Sequence, residues 1–92
     1  MNAKTFVTER LPLAVFIHAT AKLKFLRCEL AGRDRVQLVF ADPAENGASL
    51  ELAYEKGELA PARDLFASQT FLRRKMYEVL NGEWKIEHER GR

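Results

Sequence analysis

The side chains in this chain best suited to metal binding or nucleophilic attack are His18, His88 and Cys28. A metal site needs three or four convergent donors. The spacings that gather them locally, Cys-x-x-Cys or His-x-x-x-His, do not occur here. His18 lies inside an apolar run, Cys28 in an alternating segment and His88 near the C-terminus. They read as a core or boundary histidine, a buried inert thiol and a solvated histidine. The carboxylate pairs Glu55 with Glu58, and Glu87 with Glu89, are the candidates for general acid work. That work requires burial to raise a carboxyl pKa, and both pairs lie among polar residues. The sequence also lacks a Gly-rich phosphate loop and a nucleophile elbow. It predicts no enzyme, no metal, no cofactor and no small-molecule substrate.

Aromatic residues beside cations are the more informative pattern. From Pro61 to Asn81 the chain reads as a long amphipathic helix with Leu65, Leu72, Met76, Val79 and Leu80 in one apolar stripe. Phe71 projects away from that stripe, among Asp64, Ala67, Arg74, Lys75 and Glu78, and is expected on the wet side. Arg73, Arg74 and Lys75 fan over about 200° of the helix, so they form no single patch. Arg74 and Lys75 flank Phe71, either as a phosphate-binding face or as solvated cations with one paired to Glu78.

These residues need a scaffold. Lys4–Thr8 is a strand candidate, and Leu11 to about Lys22 a helix apolar over more than half its circumference. Lys24–Leu30 and Arg35–Ala41 form a hairpin around Ala31-Gly32-Arg33-Asp34. Strict alternation puts Leu26, Cys28 and Leu30 on the core face with Val36, Leu38 and Phe40. It leaves Phe25, Arg27 and Glu29 outside with Arg35, Gln37 and Val39. Phe25 with Arg27, Arg35 and Gln37 could then stack and clamp single-stranded bases, unless a further strand, a helix or a second copy covers that face. Asp42-Pro43-Ala44-Glu45 has the residues of a helix start, interrupted by Asn46-Gly47. Ala48–Lys56 fits helix or strand, and Gly57 as a C-terminal cap favours helix. Asn81-Gly82 should end the long helix. Trp84–His88 alternates as a possible edge strand, and Glu89–Arg92 reads as a frayed tail.

At 92 residues, 47% hydrophobic and 30% charged, the chain has the composition of one globular domain. We assign 1–82 to that domain and 83–92 to an extension. The fold class expected is α+β, a small mainly antiparallel sheet of three to four strands with about three helices packed predominantly on one face. A lone cysteine fits a reducing compartment. Leu11–Ile17 resembles a short signal-peptide core, but Glu9, Arg10 and His18 flank it, and the cytoplasm is the expected location. No apolar run reaches the roughly 20 residues of a membrane span. The net charge of +2 is too small to imply nucleic acid. Met1–Pro43 carries a net +3, Ala44–Pro61 −3 and Ala62–Arg92 +2, a polarity as compatible with self-association as with a polyanion.

The order of elements resembles a small domain family of unknown function from bacteria and phages. The residues that carry the likeness are Lys4–Thr8, the apolar helix after it and Val39-Phe40 before Asp42-Pro43. Ala53-Tyr54 with Gly57-Glu58, and Pro61-Ala62-Arg63 opening a basic helix, continue it to Gly82. It implies a strand–helix–hairpin–helix–helix domain and carries over no site residues. Arg10 stands where the pattern has an acidic helix cap, and Ala21 where it has glycine. The expectation is a non-catalytic interaction module, a homodimer or a binder of another protein, using Phe71, Arg74, Lys75, Phe25, Arg27, Arg35 and Trp84. The alternative is a small nucleic-acid-binding protein using the same aromatic and basic residues.

Overall fold

The computed structural model describes residues 4–90, and the side chains of residues 4–81. The chain runs β1 (Thr5–Thr8), α1 (Leu11–Ala19), β2 (Lys24–Leu30), β3 (Val36–Ala41), α2 (Gly47–Glu55) and α3 (Ala62–Arg90). The sheet is antiparallel with strand order β1-β3-β2. This is the expected α+β architecture, with Phe40, Leu38 and Leu13 at the centre of the core.

On β3, Val36, Leu38 and Phe40 face inward as expected. Val39 on the outer face is buried too, since β3 is the central strand and Val39 lies between Val7 of β1 and Arg27 of β2. β2 departs from strict alternation. Phe25 pairs with Phe40 and Arg27 pairs with Val39, so Leu26 is an extra residue in a β-bulge. A bulge of one residue reverses the facing of everything on one side of it. Cys28 and Leu30 keep their inward positions. Phe25 turns into the core against Phe40, with ring centroids 5.6 Å apart, and Leu26 is exposed. The placement of Phe25 outside and Leu26 inside is thereby corrected.

α1 is buried at Leu13, Ala14, Val15, Phe16 and Ile17, five consecutive positions covering its whole circumference. It is enclosed by β1, α2 and α3. It ends in a Schellman turn: the Lys22 N–H donates to the Ile17 carbonyl at 3.3 Å and the Ala21 N–H to His18 at 3.1 Å. That turn requires a left-handed residue, and Ala21 supplies it with φ 55. α2 ends the same way, with Gly57 at φ 85.

Helix, not strand, is the structure at Gly47–Glu55. Its start is capped from a distance. The buried Asp42 carboxylate accepts the Asn46 N–H at 2.7 Å and the Gly47 N–H at 2.8 Å. Gly47 has a second reason to be glycine: a Cβ there would stand 2.2 Å from the Phe6 ring.

α3 does not stop at Asn81-Gly82 but continues to Arg90, so Trp84–His88 is helical and not an edge strand. Five residues of alternation fit either state, and a helix already hydrogen-bonded for five turns carries through one glycine at a cost of about 1 kcal/mol. Gly91 and Arg92 of the expected tail lie outside the described residues.

Two backbone predictions follow. Ala21→Gly should raise stability by about 1 kcal/mol, because alanine pays a Cβ penalty in the left-handed region that glycine does not. Gly47→Ala should lower it by about 1–3 kcal/mol, since the Phe6 ring must be displaced. Urea unfolding followed by circular dichroism measures both.

Candidate functional site

α3 lies across both α1 and β2. Its stripe residue Leu72 is fully buried, with Leu65 and Met76 packed beside it. At 100° per residue, Phe71 and Phe66 fall on opposite shoulders of that stripe. The two shoulders meet different surroundings.

On the first shoulder Phe71 is 37% exposed, seated against its neighbours rather than free in solvent. Its ring stacks on His18 with centroids 5.0 Å apart, and meets Phe25 edge-on at 5.7 Å. Lys75 lies over the Phe71 ring at 5.6 Å and 3.7 Å from the Glu78 carboxylate. Phe71 is exposed, on the side of the helix where it was expected and beside Lys75. What its ring adds is contact with His18 and Phe25, because a helix that packs on two elements at once partly covers its own shoulder. Beside this cluster a groove of about 500 Å³ runs between β2 and α3, lined by Phe25, Leu26, Arg27 and Cys28 on one side and Phe71, Lys75, Glu78 and Val79 on the other.

His18 is the polar centre of the cluster. Its Nδ1 lies 2.7 Å from Ser68 Oγ. Ser68, one turn before Phe71 and Leu72 on α3, is 5% exposed, which closes its hydroxyl to any substrate. Sequence reading passed over Ser68, although its spacing from Leu65 and Leu72 puts it on the inward face. Burial holds the His18 imidazole below its ordinary pKa. Burial, reinforced by Glu78 and opposed by Lys75, pushes the half-buried Cys28 thiol up. Both shifts favour the neutral forms, which for Cys28 is the less nucleophilic thiol.

The remaining cations disperse. Arg27 forms an ion pair with Glu29 at 2.5 Å. Arg35 grips Glu9 through two hydrogen bonds of 2.8 and 2.7 Å, and each partner holds the other charged. Arg27 and Gln37 therefore share the outer sheet face with no aromatic ring from β2, since Phe25 is on the other side. Arg74 is exposed on α3. The Trp84 side chain lies outside the described residues. Of the expected residues, Phe25, Arg27, Phe71 and Lys75 line one groove, while Arg35 is drawn to Glu9 and Arg74 is not among the groove's lining.

On the second shoulder the structure gathers residues that sequence reading missed. A cleft of about 980 Å³ opens between α1, the end of α2 and α3. Leu59 is 89% exposed and Phe66 75%, flanking a floor of Leu11, Val15, Phe16 and Leu65. The apolar surface continues along α3 through Met76, Leu80 and Tyr77, which is 65% exposed. Phe66, Arg73, Tyr77 and Leu80 repeat at seven, four and three residues, a second stripe that the sequence does contain. Arg10 closes the α1 end. Its guanidinium lies over Tyr54 at 5.6 Å and pairs with Glu51 at 3.2 Å and Glu55 at 2.7 Å. Those carboxylates offset a cation at a helix N-terminus, where the α1 dipole disfavours it.

Among the described residues no three of His, Cys, Asp and Glu converge in a metal-binding group, and no helix is long and apolar enough to cross a membrane. The chain matches no family model, no curated protein and no solved structure. Whatever is said of its role rests on its own geometry.

Burial of neutral His18 has a pH signature. Its pKa falls below 6.5 in the folded state, so the unfolded chain binds the extra proton as pH drops through 6.5. This contribution to stability is complete above 6.5 and is lost on acidification below it. The midpoint of urea unfolding, compared between pH 7.5 and 5.5, should fall by more in the native protein than in His18→Gln.

Proposed function

We propose that this protein is a non-catalytic interaction module that associates with a second copy of itself. The observation that carries the reading is the second shoulder of α3. Leu59, Phe66 and Tyr77 are three large apolar side chains, each more than half exposed, along one cleft and one helix face. Contiguous apolar surface of this kind on a small domain is where protein interfaces form. A stable dimer needs about 800 Å² from each partner, which is roughly an eighth of the 6770 Å² surface of the chain.

The first shoulder supports a module without catalysis, since the Ser68 hydroxyl is buried against His18 and burial keeps the Cys28 thiol protonated. A lone cysteine, with no second one to form an intrachain disulfide, suits the cytoplasm. We group the chain with the bacterial and phage domains that its pattern resembles on residue order alone. Nucleic-acid binding is the weaker reading: Phe25 faces the core, and Arg27 and Arg35 are each engaged by a carboxylate. Arg74 and Lys75 remain as its support.

Light scattering across a concentration series should give a dimer mass at micromolar concentration. Phe66→Glu should shift the protein to monomer while leaving its circular dichroism and unfolding midpoint nearly unchanged, because Phe66 is outside the core. A monomer at high micromolar concentration would overturn the proposal. Salt-sensitive binding to single-stranded DNA or RNA, lost in Arg74→Glu with Lys75→Glu, would replace it with the nucleic-acid reading.

A further inference from the structure

The cleft on the second shoulder is apolar in the middle and oppositely charged at its ends. Glu58 belongs to the turn that leads into α3, and Arg73 lies on α3 itself. Eleven residues of helix separate Ala62 from Arg73, a distance of about 16 Å. Phe66 and Gln69 occupy the interval. Neither Glu58 nor Arg73 has an ion-pair partner among the described residues, while Glu55 in the same cleft is already held by Arg10. The cleft is therefore an acidic end, an apolar centre and a basic end in a line along α3.

A surface with that layout is complementary to itself when one copy is turned end over end. Only an isologous two-fold arrangement lets one patch satisfy both roles, because each contact then occurs twice. Resting on the self-association proposed above, we infer that two copies pack α3 antiparallel about a two-fold axis near Phe66. Arg73 of each copy then meets Glu58 of the other. The placement of the axis follows the chain order, since Phe66 stands seven residues after Leu59 and seven before Arg73. The two aromatic rings meet at the axis, the desolvated centre where hot spots concentrate, and the two charge pairs lie at the rim. The helix dipoles are also antiparallel, so their opposite ends adjoin.

Charge reversal reads this directly, and both sites are exposed, so the variants should fold. Dimer dissociation constants are compared by sedimentation velocity for the native chain, Arg73→Glu, Glu58→Arg and the double variant, with circular dichroism confirming the fold. Each single reversal places two like-charge contacts in the dimer and should weaken it about tenfold. The double variant restores both pairs with their signs exchanged and should return to within about threefold of the native value. A native dimer that neither single reversal weakens, or a double variant weaker than either single, overturns this arrangement and leaves self-association standing. A native chain that stays monomeric removes both.

Discussion

The extra residue at Leu26 turns Phe25 onto the sheet face that the helices cover, and the seating of α3 depends on it. With strict alternation Phe25 would face solvent and Leu26 would point inward. With the bulge, Phe25 meets Phe40 across the strand pair and presents its edge to Phe71. That aromatic contact, with His18 stacked behind it, fixes how far α3 rolls toward β2. The roll in turn decides which side chains of α3 face outward. Turning the helix to lift Phe71 off β2 would press Phe66 toward α1, and seating Phe71 against Phe25 and His18 leaves Phe66, Arg73 and Tyr77 along the opposite cleft.

α1 supplies the other constraint. A helix buried on all sides cannot slide, because any displacement opens a cavity on one face and forces overlap on another. Five consecutive buried residues from Leu13 to Ile17 lock its position between β1, α2 and α3. The irregularities of the chain collect at its ends. Arg10 lacks a capping side chain and borrows two carboxylates from α2; Ala21 takes a left-handed turn better suited to glycine. The rigid middle tolerates these local costs because its packing outweighs them.

Much of the architecture was legible in the sequence because it rests on local signals. Alternation gave β3, the apolar run gave α1, and the glycine cap at Gly57 gave the end of α2. The departure of Ala21 from glycine already marked the turn where the left-handed residue is found. What failed was anything set by pairing between elements. A bulge leaves no signature in a strand read alone, since Phe25 and Leu26 are both apolar and either can face the core. Asp42 looked like a cap for the residues next to it, but its carboxylate reaches Asn46 and Gly47, where the turn at Glu45, with φ 57, brings them.

The site suffered from one assumption more than from missing information. Phe71 is exposed as read, but its contacts with His18 and Phe25 were missed because a single apolar stripe treats α3 as though it packed on one neighbour. A helix lying in the groove between a second helix and a strand buries a wider arc, and its shoulders are then partly covered. On that geometry the exposed arc is centred opposite Leu72, and the test of a surface residue is its angle from both contacts. Phe71 stands toward β2, where Phe25 and His18 meet its ring and the Lys75 ammonium lies over it. Phe66 lies at a similar angle on the other side, where a cleft floored by Leu11, Val15 and Phe16 opens below it. Two phenylalanines five residues apart are both exposed, one at 37% and the other at 75%, and the difference in degree is made by the elements beside the helix rather than by the helix itself.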